Sequence, residues 1–386
     1  MQVIPELAAG GAERTAIDVA AALAGAGARA LIASEGGRLV GELQTKGGEW
    51  IPFQAATKNP FAMARNVRRL ARIAHEERVS LIHARSRAPA WVALGAARAL
   101  GLPFVTTYHG SYAGRSAPKR LHNSVMARGD AVIANSAYTA AMIRTLYPAA
   151  TDRIRIVHRG TDLLRFSTAA VAPERVEGLR RTWGVAPHER IVLLAGRLTG
   201  WKGQSVLIEA AAQLVAGGLR DVAFVLAGDH QGRDGYVREL DGLVATRGLE
   251  GIVRRVGHCA DMPAAYMAAS VVAVPSTEPE AFGRVAVEAQ ALGTPVVVSD
   301  LGAVPETVIA PPDAPPSLRT GWRVPAGDVA ALAAGLAEAL SLGASARDAM
   351  AVRARTHVEQ NFSLDTMVDA TLATYMALLQ PLIEAA

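Results

Sequence analysis

The 386-residue sequence predicts an α/β protein with two doubly wound domains, each a parallel sheet covered by helices on both faces. Three observations support this. Short apolar runs alternate with helical patterns along the chain, which is typical of β–α–β units. The chain is longer than the number of residues that usually fold around a single hydrophobic core. Hydrophobic residues make up 51% of the sequence, enough to fill two cores.

Elements of the first half follow from hydrophobic periodicity. Strands are predicted at residues 3–5, 30–33, 81–84, 104–108, 131–134 and 154–157. Helices are predicted between them, at residues 13–24, 62–77, 88–100 and 137–146. Because parallel strands place their carboxyl ends at one edge of a sheet, residues that directly follow these strands are the first candidates for a site.

The second half repeats the alternation. Strands are predicted at residues 191–195, 222–227, 252–256, 271–274 and 295–299, and helices at 203–215, 233–247, 262–268 and 283–292. Residues 167–172 have the composition of a linker, so the domains are predicted as 1–167 and 172–362. A last helix within 364–386, with an apolar stripe, is expected to dock back on the first domain.

Charge divides unevenly between the halves. Residues 1–166 contain 22 Lys and Arg against 11 Asp and Glu, whereas the remainder is net acidic. Such a field suits an anionic partner. No helix-turn-helix, aromatic RNA-binding motif or zinc-finger spacing is present, so nucleic acid is not expected. An anionic membrane surface or a phosphorylated acceptor fits better, with a merely solvated basic face as the alternative.

Composition also narrows the class of protein. The single cysteine, Cys259, excludes a disulfide framework and a cysteine metal site. No apolar run approaches the roughly 18 residues of a membrane-spanning helix, and no signal peptide is visible. We therefore expect a cytoplasmic enzyme, peripheral on the inner face of the cytoplasmic membrane.

The most informative motif is a strand, loop and helix that carry two carboxylates. Glu280 lies in the loop after the strand at 271–274, and Glu288 about two turns along the next helix. Both are predicted to face a cleft at the carboxyl end of the sheet. A buried structural use of either Glu is the alternative.

Two glycine-containing loops add to this motif. Gly10 and Gly11 precede the first helix, where backbone N–H groups can approach a phosphate, although these glycines taken alone favour an ordinary tight turn. Arg197 and Lys202 follow the strand at 191–195. Together they can neutralise a departing nucleotide diphosphate without a metal ion; two solvated surface cations are the alternative.

Two histidines follow predicted strands. His109 directly follows the strand at 104–108 and can donate a hydrogen bond to a sugar hydroxyl or a developing charge. His258 is a weaker candidate, which could line the nucleotide-binding site. No Asp-x-Asp pair, P-loop or Gly-x-Ser-x-Gly elbow occurs, which disfavours a carboxylate–metal clamp, a P-loop kinase and a serine hydrolase.

These motifs together resemble the retaining family 4 glycosyltransferases, which have the two-domain GT-B fold with both Rossmann-like domains facing a deep cleft. The resemblance covers nearly the whole chain in the right order. The first strand is short beside the family's, which leaves open whether the native chain begins upstream of Met1. The segments that carry it are Gly10 to Arg14, Thr107 to Gly110, Val132 to Ser136, Arg159 to Asp162, Gly196 to Gly203, Glu280 to Glu288 and Ala291 to Val296.

The resemblance implies a role for each matching residue. Gly11 would lie against the donor phosphates or sugar, and Arg197 and Lys202 would hold the diphosphate. Glu288 would bind the ribose and Glu280 the donor sugar, with His109 near the anomeric carbon. Backbone groups would complete the donor site around Ala281, Phe282, Gly283 and Arg284.

The implied reaction is retaining transfer of a hexose from a nucleotide diphosphate sugar, most simply a UDP-sugar, to a glycolipid or saccharide acceptor. It needs no cofactor and no metal, and the bacterial lipopolysaccharide, exopolysaccharide and glycolipid enzymes are the most similar branch. Because fold does not fix function, two alternatives stay open: a sugar-nucleotide epimerase, and a non-catalytic binding protein for nucleotide sugars or glycolipids.

Overall fold

The computed structural model describes residues 1–8, 11–54, 57, 59–110 and 116–384. The chain forms two compact units: unit 1 contains Met1–Gly160 and Leu364–Ala386, and unit 2 contains Thr161–Ser363. Each is built on one parallel sheet, so the predicted fold class is confirmed. The units divide before the linker predicted at 167–172. The reason is packing, since Phe166 and Val171 are buried in the core of unit 2.

Unit 1 contains a seven-stranded sheet in the order β3-β2-β1-β4-β5-β6-β7. Its strands are β1 (Gln2–Val3), β2 (Leu31–Ser34), β3 (Glu49–Pro52), β4 (Ile82–Ala84), β5 (Phe104–Tyr108), β6 (Ala131–Ala134) and β7 (Ile154–Ile156). The helices between them are α1 (Gly11–Gly25), α2 (Val40–Thr45), α3 (Pro60–Glu76), α4 (Arg87–Leu100), α5 (Ala117–Asn123) and α6 (Ala137–Leu146), with 3-10 turns at Ser124–Ala127 and Pro148–Arg153. The strand order reverses between β1 and β4, the point where such sheets bind ligands.

Unit 2 contains a six-stranded sheet in the order β10-β9-β8-β11-β12-β13, which reverses between β8 and β11. Its strands are β8 (Arg190–Ala195), β9 (Val222–Ala227), β10 (Val253–Gly257), β11 (Val271–Val274), β12 (Val296–Ser299) and β13 (Trp322–Val324). Its helices are α7 (Pro173–Thr182), α8 (Gln204–Ala216), α9 (Asp234–Thr246), α10 (Met262–Ala268), α11 (Arg284–Ala291), α12 (Val304–Thr307), α13 (Val329–Leu340) and α14 (Ala344–Phe362), with 3-10 turns at Thr168–Ala170, Gly200–Lys202 and Pro316–Leu318.

Most predicted elements are present within a few residues of the predicted bounds, because continuous apolar runs mark strands that helices cover on both faces. All six residues of β9 are buried, for example. The first strand is shifted: it ends at Val3, and Ile4 still donates a backbone hydrogen bond to Ala33. The short β3 and β13 and the long α13 and α14 were not predicted.

The C-terminal helix α15 (Leu364–Glu384) belongs to unit 1, as the apolar stripe predicted. Its residues Met367, Val368 and Tyr375 are buried against the strands of the sheet. Met376, on the same helix, is instead 55% exposed. Among the described helices none alone is long and apolar enough to span a membrane, although the bent pair α13 and α14 passes the same criteria jointly.

Candidate active site

In unit 2, the loops that follow β8 and β11 lie side by side at the carboxyl edge of the sheet. Gly203 at the start of α8 has a φ of 74°, and a Cβ there would lie 1.9 Å from the carbonyl oxygen of Pro275. The backbone N–H of Thr277 donates to the carbonyl of Trp201 at 2.8 Å. Since any other residue at position 203 would separate these loops, this glycine brings their side chains together.

Lys202 and Glu280 meet across these two loops. Lys202 Nζ lies 2.7 Å from Glu280 Oε1, and the two side chains are only 14% and 11% exposed. Ser276 Oγ donates to the same carboxylate oxygen at 2.6 Å. The Lys202 ammonium also lies 4.5 Å from the centre of the Trp201 ring. Ser276 and Trp201 therefore both orient the pair, and the remaining ammonium protons of Lys202 can bind an anion.

Residues that follow Glu280 lead into α11. Gly283 has a φ of 93° and precedes the first residue of that helix, Arg284. Phe282 was predicted to contribute backbone groups to a donor site. Its side chain lies in the hydrophobic core of unit 2, with its ring 5.6 Å from that of Phe362. Ala281 lies between Phe282 and the Lys202–Glu280 pair, half-buried.

Glu288 lies on α11 and is only 6% exposed. Its Oε2 accepts a hydrogen bond from Tyr266 at 3.0 Å, and its Oε1 pairs with Arg284 at 2.6 Å. Burial, and then the charge of Glu288, raise the pKa of Tyr266 well above its ordinary value, so the phenol remains a donor. The contacts of Glu288 are thus distinct from those of Glu280, and the two carboxylates do not share a partner among the described residues.

Arg197 and His258 are exposed and follow β8 and β10, at the same edge of the sheet. Arg197 makes no ion pair with any described residue, while its carbonyl accepts from Gln204 Nε2 at 3.0 Å. A Cβ at Gly228 would lie 1.8 Å from the carbonyl oxygen of Gly196, so a second glycine brings the loops after β8 and β9 together. Sheet topology therefore places Arg197, Lys202, His258 and Glu280 at one edge.

In unit 1, His109 directly follows β5, and its carbonyl accepts a hydrogen bond from Arg159 Nη2 at 3.0 Å. Gly11 is the first residue of α1, and its carbonyl accepts from Thr15 Oγ1 at 2.8 Å. Gly10, predicted with Gly11 to bind the donor, lies outside the described residues. Unit 1 thus also places its candidates at the carboxyl edge of its sheet.

A small polar cavity of about 20 Å³ lies at this edge of unit 1. Its lining includes Thr15, Arg85, His109 and Asn135. Among the described residues, both ring nitrogens of His109, both amide atoms of Asn135 and Nη2 of Arg85 are buried without a hydrogen-bond partner. Such atoms are normally satisfied by water or a ligand, and the volume is about that of one water molecule.

The charge state of His109 is set by this environment. Burial lowers the pKa of His109 well below its ordinary value, and the positive charges of Arg159 and Arg85 lower it further. His109 is therefore a neutral imidazole at neutral pH, which can donate from one nitrogen and accept at the other.

Several residues of these sites were not predicted from sequence. Ser276 and Tyr266 orient the two glutamates, and Arg85 and Asn135 line the polar cavity. Arg85 and Asn135 each follow a buried strand directly, which is the signal that would have identified them. In the described part of the chain, no group of three or more His, Cys, Asp or Glu is arranged to hold a metal ion.

Comparison with known proteins agrees with this architecture. The family described as Glycosyltransferase Family 4 matches residues 9–165, and the family described as Glycosyl transferases group 1 matches residues 176–357. The crystal structure of a glycosyltransferase from Rickettsia africae is 32% identical, with a TM-score of 0.88 over 98% of this chain and 97% of that one.

Two further relatives are informative. Anabaena HepE, solved in complex with UDP and glucose, is 27% identical, with a TM-score of 0.80 over 98% of this chain and 99% of that one. D-inositol 3-phosphate glycosyltransferase of Nocardia farcinica is 36% identical over 190 residues, which are 48% of this chain and 40% of that protein. The matched part of this chain thus spans about two fifths of that curated relative.

The two parallel-sheet units, together with the match to solved glycosyltransferases over 98% of the chain, show that this is a GT-B protein. The chain belongs to the family 4 glycosyltransferases.

Proposed function

We propose that this protein transfers a hexose, with retention of anomeric configuration, from a UDP-sugar to a membrane-associated glycolipid or saccharide acceptor, without a metal ion. The observation that carries the proposal is the largely buried Lys202–Glu280 pair, with the exposed Arg197 at the same edge of unit 2. Support for the donor comes from HepE, a relative solved with UDP and with UDP-glucose.

In the proposed reaction, the bond between the anomeric carbon and the diphosphate oxygen breaks, and a bond to the acceptor hydroxyl oxygen forms. The acceptor proton passes to the leaving diphosphate, so no dedicated carboxylate base is needed. Lys202 and Arg197 stabilise the charge that develops on the diphosphate, where positive charge has most effect on the rate. Glu280 accepts hydrogen bonds from donor-sugar hydroxyls.

Glu288 is proposed to bind the ribose of the nucleotide. Its Oε1 is bound by the half-exposed Arg284 across one helical turn, an interaction that is weak in water. Tyr266 holds the other oxygen from the buried side. A ribose hydroxyl can therefore replace Arg284 while Tyr266 keeps the carboxylate oriented. The neutral imidazole of His109 is proposed to form a hydrogen bond with a hydroxyl of the donor sugar.

The proposal is tested with Lys202→Ala and Arg197→Ala. We expect each to lower kcat by 10²- to 10³-fold, about 2.7–4 kcal/mol of transition-state stabilisation, in an assay of UDP release from a panel of UDP-sugars. Arg238→Ala is the matched control, because it removes a cation from the exposed face of α9.

Three outcomes would contradict the proposal. Full activity of Lys202→Ala would rule out its proposed role in stabilising the leaving diphosphate. Strict loss of wild-type activity in EDTA would rule out a metal-independent reaction. An inverted anomeric product in an NMR assay would remove retention. Interconversion of UDP-sugars without an acceptor would instead indicate an epimerase.

A further inference from the structure

An apolar pocket of about 360 Å³ lies on unit 1 and has no part in the proposed transfer chemistry. Its walls come from α3, α4, α5 and the segment before α3, and they are Thr57, Met63, Ala88, Trp91 and His122. Trp91 is held in place because its indole N–H donates to the carbonyl of His122 at 3.1 Å. The pocket volume is within the range of small-molecule sites.

Two large apolar side chains on the helices that line this pocket face solvent. Phe61 is 88% exposed and lies two residues before Met63 on α3. Leu121 is 62% exposed and directly precedes His122 on α5. Isolated exposed apolar residues are ordinary, and these two are of interest because they lie on α3 and α5, two of the helices that line the pocket.

The part of the chain that forms the pocket is rich in Lys and Arg, although Arg85 is buried in the cavity beside His109. Between Trp50 and Gly129 the sequence contains thirteen Lys and Arg but only two acidic residues, Glu76 and Glu77. Both acids lie at the end of α3 opposite to Phe61, roughly 20 Å away at 1.5 Å per residue. The Arg128 guanidinium stacks 5.0 Å from the Trp91 ring centre. Further exposed cations are Arg65, Arg68, Arg69, Arg72, Lys119 and Arg120.

We propose that this pocket binds one aliphatic chain of an anionic membrane phospholipid. The chain would lie against Met63, Ala88 and Trp91, while Phe61 and Leu121 enter the interface and the surrounding cations contact phosphate headgroups. A ligand that is apolar at one end and anionic at the other is what an apolar pocket with a basic rim selects. The inference rests on the proposed function only for its membrane-associated acceptor, and binding can be measured with neither donor nor acceptor present.

Trp91 provides a direct reporter. Vesicles of phosphatidylglycerol brominated in mid-chain quench tryptophans that contact the chain, whereas unbrominated vesicles do not. We expect wild-type fluorescence to be quenched and Trp91→Phe to lose most of the quenching. Ala88→Phe, which fills the pocket, should reduce the quenching at least fivefold. Ala99→Phe is the control, because Ala99 is exposed on the same helix and does not line the pocket.

Salt-sensitive binding with no Trp91-dependent quenching would mean adsorption by charge alone and would overturn the proposal. So would equal behaviour of Ala88→Phe and Ala99→Phe. If the protein ignores phosphatidylglycerol at low salt, both the pocket and the membrane partner are wrong. Failure of lipid binding would leave UDP release with a water-soluble saccharide acceptor unchanged. Failure of the proposed transferase activity would abolish that UDP release, so the two failures can be told apart.

Discussion

At the residue scale, the Lys202–Glu280 pair shows how a site is preorganised before its ligand binds. Removing one member would leave the other buried without its partner, which is costly. The contacts of Ser276 and Trp201 fix the geometry of the pair in the free protein. The entropy of ordering these side chains is therefore already lost when a phosphate arrives, and more of the binding energy is available to the reaction.

The neutral state of His109 predicts a pH-dependent stability of unit 1. Its folded pKa lies below that of the unfolded chain, so the unfolded state binds more protons as pH falls below about 6.5. The stabilisation is therefore present at neutral pH and is lost toward acid. Between pH 7.5 and 5.5 we expect wild type to lose about 1 kcal/mol more unfolding free energy than His109→Asn, measured by urea denaturation.

His75→Asn is the control, since His75 is exposed on α3 of the same unit. It should follow the wild-type pH profile. If His109→Asn loses stability toward acid as steeply as wild type, His109 is not held neutral by its surroundings.

At the scale of elements, both units repeat one arrangement: strand, loop, helix, with polar groups in the loop. Glycines decide how closely neighbouring loops approach. Gly302, after β12, shows the same device, because a Cβ there would lie 2.6 Å from the carbonyl oxygen of Glu280. That carbonyl accepts instead from the backbone N–H of Ala303 at 2.9 Å. Glu280 is thus fixed by its backbone as well as by its side chain.

Gly203→Ala tests whether glycine is needed for the close approach of neighbouring loops. The new Cβ would meet the carbonyl of Pro275 at a positive φ, so the loops after β8 and β11 must separate. We expect a loss of about 2–4 kcal/mol in unfolding free energy and weakened binding of UDP by calorimetry. The matched control is Gly200→Ala in the same loop, where a Cβ has nothing within 4 Å. Equal effects of the two substitutions would argue against the close-contact explanation.

Sequence was a good guide to these elements and to positions at strand ends, because buried parallel strands have continuous apolar runs. It was a poorer guide to partners. Tyr266 reaches Glu288 from another helix, and Ser276 precedes Glu280 in an irregular loop. Side-chain contacts of this kind depend on packing, for which periodicity carries no information. The excess of Lys and Arg in the first half illustrates the same limit: Val125 and Met126 lie in sequence between the exposed cations Arg120 and Arg128, yet both are fully buried.

At the scale of the whole molecule, charge is segregated along the chain, with the excess of Lys and Arg in the part that forms most of unit 1. In co-sedimentation we expect binding to anionic but not to neutral vesicles, fading as salt rises to a few hundred millimolar because the Debye length shortens. The double substitution Lys119→Glu with Arg120→Glu should weaken binding at least tenfold, since each nearby cation contributes about 1 kcal/mol.

Arg238→Glu, on unit 2, is the control and should leave vesicle binding unchanged. Equal binding of the Lys119 and Arg120 double variant and wild type would show that the α5 surface does not face the membrane.

The return of α15 to unit 1 has a consequence for how the protein is made. Unit 1 is interrupted by the whole of unit 2, and Met367, Val368 and Tyr375 complete a core that begins with Val19. During synthesis the ribosome releases unit 2 as one continuous stretch, free to fold at once. Unit 1, although begun first, must wait for α15, which follows unit 2 in the chain, before this core is complete. The unit that carries His109 is therefore the unit completed last, so a chain stalled after Ser363 would hold unit 2 complete and unit 1 without α15.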